Sequence, residues 1–199
     1  MKTKAKNEVT LQFPSQSSNE GFARSAVACF AAQMDPTLNE LEDIKTAVSE
    51  AATNAIVHAY PDSIGKVVVK ARICGGDVLE LTVRDYGRGI PDIDKARQPM
   101  FTTGGDERSG MGFTIMESFM DSLTVRSTAG RGTTVVMKKR IALREAVNQL
   151  PEKERMTILL RYFKGLTQER TARVLGVSQV QISRLERRGL ERLRKMLPA

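Results

Sequence analysis

Residues 46–58 read TAVSEAATNAIVH, and this stretch decides the fold. Glu50 and Asn54 stand four residues apart. Helical spacing puts that carboxylate and carboxamide on one face, one turn apart. Ile44, Val48, Ala51, Ala55 and Val57 fall mostly on the other faces. A helix that aims Glu and Asn into one space offers a proton acceptor and an oxygen ligand for a hard cation. Taken alone, the pair is also the pattern of a solvated helix face. The sequence on either side of it decides between these readings.

Upstream, Thr37 and Glu40 have capping-box spacing and open the helix that carries the pair to about His58. Asp35-Pro36 separates it from an earlier helix over about 20–33, for which Ser17 and Glu20 suggest a second capping box. Before that, 9–13 alternates as a short strand and 1–8 reads as disordered. Downstream the period changes from helix to strand. Residues 66–73 and 78–84 are Val- and Ile-rich and alternate across Gly75-Gly76-Asp77, which predicts a hairpin. A Gly-rich stretch over 85–112 reads as loop, with one short helix near 92–96. A helix over 111–120 and a hairpin over 122–139 follow. Helices on one face of a mostly antiparallel sheet make an α+β, two-layer sandwich. After Arg140 the strands stop and the chain reads as helix to its end, cut at Pro151, Gly165 and Gly176, with Gly189 a further candidate break. This predicts domains over 1–140 and 141–199.

Charge divides the same way. Residues 1–140 hold 18 Lys/Arg against 17 Asp/Glu, and residues 141–199 hold 13 against 6. A small basic module behind a nearly neutral one suggests a polyanionic partner. No apolar run is long enough for a membrane span, and the basic N-terminal stretch has no apolar core of a signal peptide. Cys29 and Cys74 have no metal spacing and lie in apolar segments. Both read as reduced packing residues of a cytoplasmic protein.

Four pieces follow in order. After the Glu/Asn helix, Asp85-Tyr86-Gly87-Arg88-Gly89 sits at a strand end, where an Asp can accept from an exocyclic amine and Gly admits close approach. Ser109-Gly110-Met111-Gly112 opens a helix whose free N–H groups form an anion site. Between them, 97–108 is a long polar loop of the kind that closes over a ligand. Gly132-Thr133-Thr134 enters the last strand.

This order resembles the GHKL ATPases, the Bergerat-fold group. VSEAATNAI, RDYGRGI, ARQPMFTT and ERSGMGFTIMESFMD are similar, within that group, to the anti-sigma-F serine kinases of endospore-forming bacteria, over roughly 8–140. The resemblance implies a Bergerat-type ATP-binding sandwich and a protein serine/threonine kinase. It makes Glu50 the catalytic base for the substrate serine and Asn54 the Mg²⁺ ligand. Asp85 would bind the adenine amine, helped by Thr134, in a pocket shaped by Gly87 and Gly89. It assigns Thr102, Thr103, Ser109, Gly110, Met111 and Gly112 to ATP/ADP, with Arg108 near the terminal phosphate. It puts Arg24 on the face that meets sigma factor F or the anti-anti-sigma factor, and it implies a homodimer. Val9, Leu11 and Phe13 suggest an apolar surface for that dimer. The lone histidine, His58, lies on the Glu/Asn helix itself, which fits a kinase acting on another protein's hydroxyl better than a histidine kinase. Two positions depart from the family. Ala59 stands where Gly is usual, so a left-handed turn there would be strained. The lid TTGGDERSG is one residue shorter than usual and lacks a lysine.

In the basic module, LTQERTARVLGVSQVQISRLERR reads as helix-turn-helix. Ala172, Leu175, Val177, Ile182 and Leu185 are spaced to pack the two helices together. Gln179, Gln181, Ser183 and Arg184 lie where major-groove contacts are made. Arg187, Arg188, Arg192, Arg194 and Lys195 suit phosphates. The other reading is an ordinary helical hairpin with a solvated basic face. The segment resembles region 4 of sigma-70-type factors, that of the sporulation sigma factor F most closely. This implies contact with a promoter −35 element and with RNA polymerase. Regions 2 and 3 have no counterpart in the chain. A DNA-binding transcription regulator with a nucleotide-holding dimerisation domain is therefore the alternative to the kinase.

Overall fold

Alternation of residue type builds the sheet. The computed structural model describes residues 5–75, 77–97 and 111–197. Strands β1 (Ala5–Pro14), β2 (Lys66–Cys74), β3 (Val78–Asp85), β4 (Ser122–Thr128) and β5 (Gly132–Arg140) pair antiparallel in the order β1-β2-β3-β5-β4. Odd-numbered residues of β2, β3 and β5 face inward: Val67, Val69, Ala71, Leu79, Leu81, Val83, Val135 and Met137 are all buried. Strand β1 begins at Ala5, which corrects the expectation of disorder over 5–8. Glu8 pairs across to Arg72, and its carboxylate holds Lys70 at 3.0 Å.

The inner face is covered by α1 (Ser18–Ala31), α2 (Leu38–Val57) and α4 (Gly112–Phe119); a short α3 (Ile93–Ala96) follows β3. The two-layer α+β architecture is the expected one. Val9, Leu11 and Phe13 pack into the core between these layers. Phe13 is buried, and Val9 and Leu11 keep part of their surface exposed. The other face of the sheet carries ions instead: Arg72 pairs with Glu80 at 2.9 Å, and Lys138 with Glu80 at 3.3 Å. Lys139 ties three elements together, donating to Asp43 of α2 at 2.8 Å and to the Phe119 carbonyl at 2.7 Å.

The capping box at Thr37 and Glu40 forms in both directions. The one expected at Ser17 and Glu20 does not. Ser17 has helical dihedrals and no side-chain cap, and Glu20 accepts from the Ser49 hydroxyl of α2 at 2.7 Å. A tertiary partner has replaced the local one. Cys74 is buried, whereas Cys29 is exposed because the buried stripe of α1 runs through Ala23, Val27, Phe30 and Ala31. The reading of Cys29 as a packing residue is thereby corrected.

The described residues divide into two compact units between Ile141 and Ala142. The second unit is helical: α5 (Ala142–Gln149), α6 (Glu152–Ile158), a π-helical turn over 159–163, α7 (Gln168–Leu175) and α8 (Gln179–Met196). Helix α8 runs unbroken through Gly189, which was expected as a cut. A side chain there would meet Ile158 at 3.0 Å, so the glycine lets α6 lie close against α8. Buried Glu186 is the polar hub. It accepts from Arg161 at 3.1 Å, Tyr162 at 2.9 Å and Gln168 at 2.8 Å.

Two outcomes follow for stability. Leu81 is fully buried, so Leu81→Ala is expected to cost about 2–5 kcal/mol, read from urea unfolding of the sheet unit. Burial pushes the Glu186 carboxyl up. The hydrogen bonds from Gln168 and Tyr162 and the charge of Arg161 outweigh it and hold the group below the ordinary range. A depressed acid stabilises the fold above its unfolded value, near ~4.3, and that contribution is lost as pH falls through the folded value. The helical unit should therefore lose denaturant resistance on acidification, and Glu186→Gln should flatten that dependence in circular dichroism.

Candidate functional site

Helix α2 delivers the Glu/Asn pair to the wall of a cavity of about 820 Å³. Glu50, Asn54 and His58 line it from α2, Asp85 from the end of β3, Gly112 from the start of α4 and Thr133 from β5. The structure therefore brings together the four sequence pieces. The contact is tight at one end. A side-chain carbon on Gly112 would lie 2.9 Å from Glu50 Oε2 and 3.3 Å from Asn54 Nδ2. Having no side chain, Gly112 lets the first turn of α4 come near both groups without displacing either side chain. Met111, just before it, also lines the cavity.

The opposite end is built on Asp85, which is 5% exposed. Its Oδ1 accepts from the backbone N–H of Gly87 at 3.0 Å and of Thr133 at 3.1 Å. Burial lifts this carboxyl above its ordinary value, against the pull of those two N–H groups. Gly87 is pressed against Ala59, and any side chain there would collide with the Ala59 carbonyl. That carbonyl accepts from the Arg88 N–H at 2.9 Å. Gly89 has a φ of +72° and lines the cavity.

Ala59 needs no left-handed backbone: among the described non-glycine residues only Asp35 has positive φ. The strain expected at Ala59 is absent. Thr134 is also corrected. It sits on the opposite face of β5, where it pairs with Arg84 and Arg126. Thr133 takes the place beside Asp85, and its hydroxyl lies 2.9 Å from Ser127 Oγ. The inward parity of Val135 and Met137 on the same strand was the available signal. Sequence reasoning also passed over Lys95 and Phe113, both on the cavity wall. Thr102, Thr103, Arg108, Ser109 and Gly110 lie outside the described residues, as does most of the expected lid.

Glu50 is lifted above the ordinary carboxylate range, first by burial and then by the negative charge of Glu20. A carboxylate so raised is a better proton acceptor near neutrality. Among the described residues no cluster of three His, Cys, Asp or Glu side chains could hold a metal. A cation here would rely on Asn54 and on its own ligand's oxygens, the pattern Mg²⁺ adopts with phosphates. Arg24 stands outside the cavity on α1, about half exposed, with its Nε 3.6 Å from Glu20.

In the helical unit, Gly176 turns the chain with a φ of +65° between α7 and α8. Ser178 caps α8, and Gln181 returns the bond in a full capping box, accepting from the Ser178 N–H at 3.1 Å. Ala172, Ile182 and Leu185 form the buried junction, with Leu175 and Val177 packed against it. Gln179, Ser183 and Arg184 are exposed on the first turns of α8, as is Val180, which was not anticipated. The basic residues differ in their engagements. Arg188 and Arg192 lie 3.5 and 3.0 Å from buried Glu154, and Arg187 lies 3.9 Å from Glu191.

Comparison with known proteins bears on both units. Residues 13–139 match the histidine kinase-like ATPase domain, and residues 146–195 match sigma-70 region 4. The anti-sigma F factor of Geobacillus kaustophilus is 56% identical over 143 residues, which cover 71% of this chain and 98% of that protein. The anti-sigma F factor of Geobacillus stearothermophilus is 57% identical over 135 residues, covering 67% and 92%. The crystal structure of the RsbU and RsbW domains of a Mycobacterium tuberculosis protein has a TM-score of 0.51 at 20% identity, covering 68% of this chain and 32% of that one, a likeness of fold. With relatives matched along nearly their whole length, the chain belongs to the anti-sigma F factor family of histidine kinase-like ATPases and carries a sigma-70 region 4 in addition.

Proposed function

We propose that this chain is an ATP-dependent protein serine kinase that binds sporulation sigma factor F in the cytoplasm and phosphorylates an anti-anti-sigma partner. The observation that carries this reading is the approach of Gly112, at the start of α4, to Glu50 and Asn54 in the cavity that also holds Asp85. The relatives named anti-sigma F factor support it. Asp85 suits an adenine amine, because one of its oxygens is held by two backbone N–H groups. Thr133 supports that carboxylate, with Gly87 and Gly89 admitting the ring. Gly112 and Met111 stand where phosphates would meet the start of α4, together with Gly110, Ser109, Arg108, Thr102 and Thr103 from the neighbouring sequence. Asn54 is the protein ligand offered to Mg²⁺. Bound ATP–Mg²⁺ supplies the transferable phosphoryl group and neutralises its charge. Glu50 takes the proton from the attacking serine hydroxyl, and the surrounding side chains exclude water and orient the two reactants. Arg24, with its exposed guanidinium, belongs to the surface that meets sigma factor F or the anti-anti-sigma factor.

Incubation with labelled ATP and an anti-anti-sigma protein should label one serine. Glu50→Ala should lower the rate by about 10²–10⁴-fold while nucleotide still binds. Equal labelling by the variant would remove Glu50 from this role. Because Glu50 is raised and must be charged to act, the rate should climb with pH through a value above the ordinary glutamate range.

A second reading rests on the exposed Gln179, Ser183 and Arg184 of α8 and on the region 4 match. The helical unit reads a −35 promoter element, Arg187 and Arg188 add phosphate contacts, and RNA polymerase is a further partner. Gln181 contributes through the cap of α8. Binding of promoter DNA should weaken steeply with salt. Gln179→Ala or Arg184→Ala should relax base preference by about 1–3 kcal/mol in competition assays. Indifference to sequence at every salt concentration would leave only a basic surface.

A further inference from the structure

Ser127 stands behind the cavity wall, on the edge strand β4, and pairs across the ladder with Thr133. Its hydroxyl accepts from the Ile90 N–H at 2.7 Å, lies 2.9 Å from Thr133 Oγ1 and lies 3.2 Å from the Gly132 carbonyl oxygen. Ile90 and Thr133 both line the cavity. The turn after β4 is fixed to the same floor, because the Gly130 N–H donates to the Arg88 carbonyl at 2.8 Å.

A hydroxyl has a single hydrogen to give. An N–H can only donate, so the Ile90 bond fills an acceptor site of Ser127. The Ser127 hydrogen is left for Thr133 or for Gly132. When it goes to Thr133, the Thr133 hydrogen is left for the cavity side, where Asp85 stands. When it goes to Gly132, Thr133 donates back to Ser127 and offers the cavity only lone pairs. Two observations favour the first setting. The contact with Thr133 is the shorter of the two. The Asp85 carboxyl, whose charged form the Thr133 hydroxyl stabilises, draws the Thr133 hydrogen inward.

We propose that Ser127 is a positioning residue for base recognition: it makes the Thr133 hydroxyl a hydrogen-bond donor beside the Asp85 acceptor, a pair that matches a 6-aminopurine and mismatches a 6-oxopurine. The inference rests on the proposed nucleotide site. A 6-aminopurine offers an amine that donates next to a ring nitrogen that accepts. A 6-oxopurine offers the reverse, an oxygen that accepts next to an N–H that donates. Asp85 answers the amine. Ser127, from behind the wall, decides whether the neighbouring position donates or accepts. To take a 6-oxopurine, Thr133 would have to turn its hydrogen to Ser127, and Ser127 its own to the longer contact with Gly132. A wrong base is rejected by the polar groups it leaves unpaired.

The test is calorimetric binding to the full chain of three ligands. These are ATP, 1-deaza-ATP, whose ring nitrogen is replaced by C–H, and purine riboside triphosphate, which lacks the amine. Wild-type protein should bind ATP about 5–10-fold tighter than 1-deaza-ATP. Ser127→Ala should cut that ratio to about 2-fold or less. The penalty for the missing amine should stay as in wild type, because Asp85 is intact. Lost packing alone would weaken all three ligands together and leave both ratios in place. Ser127→Thr keeps a hydroxyl and should restore the wild-type ratio. Should Ser127→Ala fail to fold, Ser127→Cys, of similar size and a weak donor, carries the same expectation. An unchanged ratio of ATP to 1-deaza-ATP in the folded variant overturns the proposal, as does a wild-type protein that does not distinguish these two ligands. If the ratios behave as expected but no serine is labelled, the kinase reading fails and the assignment of Ser127 stands.

Discussion

The close seating of α2 on the sheet is the constraint on which the rest depends. It is made by alanines. Ala47, Ala51, Ala52 and Ala55 are buried along one stripe, with Ile44, Val48 and Ile56 filling the gaps. Small side chains let a helix axis approach a sheet closely and lose little rotamer entropy in doing so. Glu50 and Asn54 lie at the border of that stripe. They reach into the cavity because the helix beneath them is pressed down. Larger residues in the stripe would lift the pair away from Asp85 and Gly112 and split the cavity's two ends.

The other end of the cavity is held by backbone more than by side chains. Asp85 is nearly buried, but its oxygen is satisfied by N–H groups of Gly87 and Thr133. Two segments distant in sequence therefore converge on one carboxylate. The Ser127 hydroxyl extends the arrangement, accepting from the Ile90 N–H at 2.7 Å. Such a network fixes the pocket floor without needing a large hydrophobic plug, and a satisfied buried network rigidifies its surroundings. Gly87 matters because Ala59 occupies the space its side chain would need. Ala59 and Gly87 are one packing decision, and the alanine carries no backbone strain because its φ is not positive.

The helical unit solves a different problem. It is small and basic, and its own core divides into two clusters, one around Val147, Leu150 and Ile158 and one around Ala172, Ile182 and Leu185. Polar groups join what apolar area alone leaves separate. Glu186 gathers Arg161, Tyr162 and Gln168, and Glu154 draws on Arg188 and Arg192. Several arginines that read as a phosphate-binding face in one dimension therefore have work inside the unit. Gln179, Gln181, Ser183 and Arg184 are exposed at the start of α8, and Arg187 and Arg188 stay exposed after them.

Much of this was legible in one dimension, for a physical reason. Period 2 and period 3.6 are local properties, and they located all five strands and the long helices. The order of Glu/Asn, Asp-x-Gly-x-Gly and Gly-x-Gly pieces announced the pocket because backbone chemistry demands those residue types. The tight turn at Gly176 and the caps at Thr37 and Ser178 were local for the same reason. What the tertiary structure alone decided involved competition between distant partners. Glu20 left a cap for Ser49, Thr133 took the inward place of Thr134, and Val9, Leu11 and Phe13 turned to the core. Gly189 became a contact instead of a break, and Cys29 stayed outside. Each of these outcomes depends on which surface a second element brings near, and no window of sequence contains both surfaces.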